Sequence, residues 1–312
     1  MYQDILVLDH RAADPAAQLM PVARLSDASL GVDASCVGLL ILSIFYEYFF
    51  VWNPVTREKA PLRVICGFWF LGFYPHRPTG EYRLLLSRER TLMDEDLIPG
   101  ARDTCYIFAL GCDLSRCIGW PLSERPPCSD TPVLVRSCLH WTPVQHQSGG
   151  GMITVFDTTA ESFRRMRAPI VPNRDYRSRV DPCLFEMDGT LGMYNCNDGE
   201  LRCVDIWVLQ DYKREVWKLR CKVELPMAEI RLKFDGCEHW SVMAAPEEGN
   251  VLVLVHGDRW LLHVDTKGKP RASFHRDGQA LKASRHMIRQ SLVRHDFFPK
   301  LAGYVSNASS II

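Results

Sequence analysis

Cys138, His140 and His146, in the stretch "CLHWTPVQH", are of the types that hold zinc. On a strand, positions 138 and 140 face the same way, so two ligands could reach one ion. Spacing fixes no acidic partner for them, and a histidine packed and hydrogen-bonded within a strand is the plainer reading. "QSGGGM" (147–152) is glycine-rich but leads into a strand and carries no lysine, so it lacks the helix N-terminus and cation of a phosphate loop. No Gly-x-Ser-x-Gly elbow occurs, and no Ser, His and Asp set stands out as a triad. The tyrosine, histidine and cysteine of a copper radical centre are present as types, with nothing to tie them together. The expectation is a chain without catalytic, metal or cofactor residues.

A different kind of chemistry is written in "PNRDYRSRVDP" (172–182), where Arg174, Arg177 and Arg179 surround Tyr176. Arginine and tyrosine dominate the energetics of protein interfaces, and loops on a rigid scaffold commonly carry function. These four residues are the candidate protein-binding loop; the competing reading is a solvated connection. "HRPTGEY" (76–82) reads as a turn between strands, and the basic run Lys282, Arg285, Arg289 and Arg294 as an exposed face.

Composition sets the frame. The chain has 312 residues, 47% of them hydrophobic and 24% charged, with 37 basic and 37 acidic side chains. That is a globular protein, long enough for two ordinary domains or one large β domain. A neutral chain offers no electrostatic case for nucleic acid or an anionic membrane. The N-terminal "MYQDILVLDH" lacks the pattern of a secretory signal, and the 12 cysteines include no CxxC pair. They read as mostly buried, reduced thiols of a cytoplasmic or nuclear protein. The apolar stretch "CVGLLILSIFYEYFFVW" (36–52) is interrupted by Glu47 and ends at Asn53-Pro54, so it reads as two buried strands with a turn near Tyr46-Glu47.

The elements that would position any site repeat along the chain. "MITVFDTTAESFRRM" is an apolar strand, an Asp-initiated turn and an alternating strand, a hairpin with one face on a core. The same design recurs in "DIWVLQDYKREVWKL" (205–219), "WLLHVDTKGKPRASF" (260–274) and "FFVWNPVTREKAPL" (49–62). The anchors Asn53, Asp157, Asp211 and Asp265 are separated by 104, 54 and 54 residues, which predicts a further copy near residue 110, in "CYIFALGCDLSRCIGW". A second apolar element precedes most anchors: "GLLILS", "SCLHWTP", "GTLGMYN" and "NVLVLV". A repeat of about 50 residues built of short strands predicts an all-β, kelch-like β-propeller of five to seven blades. A β-sandwich or two small β domains is the alternative. Closing the ring, "DILVLD" (4–9) is expected to pair with strands around "LAGYV" (301–305).

Read together, "ASCVGLLILS", "FVWNPVTRE", "LGFYPHRPTGEYRLLL", "VLVRSCLHW", "MITVFDTTAESFRRMRAP" and above all "LFEMDGTLGMYNCND" with "VDIWVLQDYKREVWKLRCKVELP" resemble the F-box-associated domain of plant F-box proteins, over about residues 33–300. The resemblance implies a kelch-like propeller that captures a target protein for ubiquitination as the substrate-recognition part of a Skp–cullin–F-box ligase. It also implies an N-terminal F-box that docks on a Skp-type adaptor, but residues 1–32 show only a strand and a linker. Adaptor binding is therefore expected only with an F-box upstream. The division expected is 1–32, a propeller over 33–306 and a tail over 307–312. Two other readings stand beside it: a free-standing interaction scaffold without adaptor binding, and a propeller enzyme or small-ligand binder.

Overall fold

Short β-branched and aromatic runs, punctuated by Asp, Asn and Gly, fold here as antiparallel meanders. The computed structural model describes residues 3–8, 19–25, 30–45, 48–62, 68–88, 104–112, 115–118, 131–145, 151–170, 182–196, 202–234, 240–247, 249–257, 259–276, 281, 283–288 and 291–302. The chain is all-β, a five-bladed β-propeller.

One compact unit comprises Met1–Thr131, Thr158–Glu161 and His286–Ile312. It holds blade 1, strands β3 (Leu30–Cys36), β4 (Leu39–Ile44), β5 (Tyr48–Trp52) and β6 (Lys59–Pro61), and blade 2, strands β7 (Trp69–His76), β8 (Glu81–Arg88), β9 (Thr104–Ala109) and β10 (Ser115–Cys117), each sheet paired in chain order. The stretch expected as two buried strands is β4 paired with β5. The predicted copy near residue 110 is the β9–β10 hairpin.

The N-terminal expectation is corrected. Strand β1 (Gln3–Leu8) pairs with β2 (Leu19–Leu25), and Leu301 and Ala302 end a short helix at Phe297–Ala302, while Gly303, Tyr304 and Val305 lie outside the described residues. Alternation shows that a segment is a strand but does not name its partner. β2 follows β1 closely in the chain, so a local hairpin costs less closure entropy than a pairing across the chain.

The second unit comprises Pro132–Asp157 and Ser162–Arg285. Blade 3 contains β11 (Val133–Val135), β12 (Cys138–His140), β14 (Gly151–Asp157) and β15 (Ser162–Arg167), with the short β13 (Val144–Gln145) also on β14. Blade 4 is β16 (Cys183–Met187), β17 (Thr190–Cys196), β18 (Cys203–Asp211) and β19 (Val216–Glu224). After helix α1 (Met227–Lys233), blade 5 is β20 (Ser241–Glu247), β21 (Asn250–Gly257), β22 (Trp260–Val264) and β23 (Pro270–His275). The helix at Phe297–Ala302, in the first unit, is α2.

Burial explains the composition of each strand. Second strands are buried on both faces and read as apolar runs: Leu39 to Leu42 in β4, Leu191 to Tyr194 in β17, Val251 to Val255 in β21. Fourth strands face solvent on one side, so β15, β19 and β23 carry arginines and lysines between apolar residues. Gly192 in β17 lies under the Phe185 ring of β16, and a Cβ there would sit 2.5 Å from that ring. Among the described residues no helix is long and apolar enough to cross a membrane.

Candidate protein-binding face

The turn between third and fourth strands is the repeated motif in atomic detail. Asn53 Oδ1 accepts from the amides of Val55 and Thr56, Asp211 Oδ1 from those of Lys213 and Arg214, and Asp265 Oδ1 from those of Lys267 and Lys269. Four residues beyond Asn53, Asp157 and Asp211 the backbone turns left-handed, at Arg57, Glu161 and Glu215, with φ of 60°, 50° and 58°.

In the first unit Glu161 closes a buried polar network. Its carboxylate accepts from the Tyr74 hydroxyl at 3.0 Å and from Arg83 Nη1 at 2.6 Å, and pairs with Arg116. Arg83 also pairs with Glu81 at 2.6 Å, and Glu81 accepts from Thr79 in the "HRPTGEY" turn, which links β7 to β8 as expected. Burial pushes the Tyr74 phenol up, while hydrogen bonds from Arg83 and Thr79 hold the Glu81 carboxyl down.

In the second unit Glu215 does the equivalent with blade 3. It accepts from the Arg167 amide at 3.0 Å and lies 3.9 Å from the Arg164 guanidinium, while Trp217 Nε1 donates to the Arg167 carbonyl. Beside it is an aromatic and cationic cluster. Arg136 and Arg164 lie over the Tyr212 ring, 5.3 and 5.2 Å from its centroid. The Tyr212 hydroxyl meets His140 Nε2 at 2.8 Å.

His140 is fully buried, and its Nδ1 lies 3.2 Å from the Val133 carbonyl. That carbonyl only accepts, so Nδ1 carries the proton and Tyr212 donates to Nε2. Burial lowers the His140 pKa to about 4 and pushes the Cys138 thiol up, so the pair stays neutral at physiological pH. Both ring nitrogens are thus used in packing. His146 lies outside the described residues, among which no group of three His, Cys, Asp or Glu is placed to hold a metal.

Arg174, Tyr176, Arg177 and Arg179 also lie outside the described residues. Of the strand ends that flank them, Arg167 of β15 touches Glu215 and Trp217 beside the Tyr212 turn, whereas Cys183 of β16 lies toward the opposite end of blade 4. In the C-terminal basic run, Arg294 is exposed, while Lys282 and Arg289 are outside the described residues. Arg285 departs from the expected exposed face: it is half-buried and donates to Cys183 Sγ at 2.8 Å. The nine described cysteines are all free; Cys36, Cys105, Cys138, Cys183 and Cys196 are buried, whereas Cys112 and Cys117 are exposed. Hairpin β9–β10 is short and at the blade's outer edge, which leaves these two thiols in solvent.

Sequence reasoning missed Arg136, Arg164 and Tyr212. Tyr212 follows an anchor aspartate and was the one signal available, because the residue after Asp157 and after Asp265 is a threonine in its place. What the cluster offers chemically is a ring flanked by cations, the equipment of noncovalent recognition.

Comparison with known proteins follows from this geometry. No curated protein matches the chain. A solved structure described as "Crystal structure of Nidogen/Laminin Complex" aligns with 11% identity and a TM-score of 0.46, covering 88% of this chain and 90% of that one. The family model described as "F-box associated beta propeller domain" matches residues 23–255. With its repeated Asx turns and five blades, the chain belongs to the F-box associated β-propeller domain family.

Proposed function

We propose that this chain is the non-catalytic substrate-recognition part of a Skp–cullin–F-box ubiquitin ligase, with a propeller over residues 33–306 that captures target proteins for ubiquitination. The observation that carries the reading is the family match over residues 23–255. A rigid scaffold of paired strands that presents polar turns supports it, since such turns bind without needing a reactive pocket. A Skp-type adaptor is engaged only through an F-box segment upstream of the propeller. The nine free cysteines fit the reducing cytoplasm or nucleus, where such ligases act.

Affinity purification of the tagged protein from plant extract tests this. Recovery of a Skp-type adaptor or of a discrete target whose ubiquitination depends on the chain is the expected result. Recovery of neither by well-folded protein would count against it.

A further inference from the structure

Arg136 is unlike the other described cations. It is exposed, at the tip of the turn between β11 and β12, and both central residues of that turn are left-handed, Arg136 with φ 51° and Ser137 with φ 59°. The corresponding turns of blades 1 and 4 each place a glycine in the second of these positions, Gly38 and Gly189. Blade 3 does not, and a side-chain-bearing residue in this conformation is disfavoured. The strained turn holds the Arg136 guanidinium over the Tyr212 ring, and among the described residues no carboxylate faces it.

The rest of the cluster is partly compensated. Arg164 lies near Glu215, and Arg214 is 3.8 Å from Asp211. Lys213, exposed and next to Tyr212 in the chain, forms no close ion pair among the described residues, although its charge, with that of Arg214, helps hold the Asp211 carboxyl down. Arg136 thus lies over an aromatic ring whose hydroxyl is anchored from beneath by buried His140, with the exposed Lys213 one residue along the chain.

We propose that this end of blades 3 and 4 binds an acidic peptide segment, with Arg136 and Lys213 contacting its carboxylates and Tyr212 as the positioning residue that aims Arg136. A peptide fits better than a nucleic acid, because Asp211 and Glu215 interrupt the patch and would repel a continuous phosphate backbone. The proposal rests on the reading of the chain as a protein-binding module.

The test is fluorescence anisotropy of the full chain with a labelled oligoglutamate peptide, with oligouridylate as a competitor. Binding that weakens as salt rises is expected, and it should fall about tenfold in Arg136→Glu and in Lys213→Glu. Lys267→Glu, an exposed lysine of the equivalent turn in blade 5, should leave it unchanged. Tyr212→Phe keeps the ring and should keep the affinity, whereas Tyr212→Leu should lose it; thermal unfolding of each variant shows that the fold survives. No binding, equal loss in Lys267→Glu, or loss in Tyr212→Phe equal to that in Tyr212→Leu would overturn the proposal. So would displacement of the peptide by oligouridylate at equal charge. If Arg136→Glu still recovers the wild-type target on affinity purification, this site fails while the protein-binding reading stands; if wild type recovers no target, that reading fails by itself.

Discussion

Glu161 and Glu215, one repeat apart, share a left-handed backbone and a role: each carboxylate leaves its turn to take arginines, Arg83 and Arg116 for Glu161, Arg164 and Arg167 for Glu215. The turn that ends one hairpin thereby becomes a clasp, and the two clasps differ in burial. Glu161 is 8% exposed and Glu215 23%. Removing one member of a buried pair leaves the others charged and unpaired. Glu161→Ala is thus expected to cost about 3 kcal/mol, and Glu215→Ala about 1 kcal/mol. Urea denaturation of the two variants measures the difference; equal losses would show that burial does not set the strength of the clasp.

Acid should loosen the protein through its histidines. Burial lowers the pKa of His140 to about 4 and lowers those of His76, His256 and His295, against an unfolded value near 6.5. The unfolded chain therefore binds protons first, and stability present above the unfolded pKa is lost as pH falls through the folded values. His140 alone accounts for about 3 kcal/mol between the two pKa values. Denaturation midpoints should drop steadily from about pH 6.5 to pH 4, and the His140 ring signal in NMR should show no protonation until near pH 4. A His140 ring that titrates near pH 6.5 would mean that it is not packed as described.

The strain in the Arg136–Ser137 turn is separable from its use. Ser137 has φ 59°, a conformation open to glycine without penalty. Ser137→Gly is expected to stabilise the chain by about 1 kcal/mol, offset in part by the greater freedom of glycine when unfolded. Thermal unfolding checks this, with a loss of stability as the contrary outcome.

The hairpins were legible where chemistry was local. Asn53, Asp211 and Asp265 each close their turn with their own side chain, so type and spacing alone disclosed them. The copy near residue 110 matched loosely: Gly111, with φ 85°, makes the bend while Cys112 N–H donates to the Ala109 carbonyl, and Asp113 lies outside the described residues. The recognition cluster was not legible. His140 and Tyr212 are 72 residues apart, and the turn that lifts Arg136 contains neither Gly nor Asn to mark it. The contacts of the C-terminal segment were not legible for a related reason. Asn53 Nδ2 donates to the Ser291 carbonyl, and His295 and Phe297 pack on Tyr82, contacts of side chains for which a strand pattern holds no information.

Two glycines separate backbone freedom from space. Gly80 and Gly268 have nearly the same backbone, φ 74° and 77°. A Cβ on Gly80 would meet nothing within 4 Å, whereas on Gly268 it would collide with the Glu224 carbonyl at the end of β19. A carbonyl held in a strand cannot swing aside as a side-chain tip can. Gly80→Ala is therefore expected to cost only the conformational penalty, about 1 kcal/mol. Gly268→Ala adds overpacking, for about 3 kcal/mol in all. Chemical denaturation of both variants decides it: similar losses would mean that the turn of blade 5 does not press against the edge of blade 4.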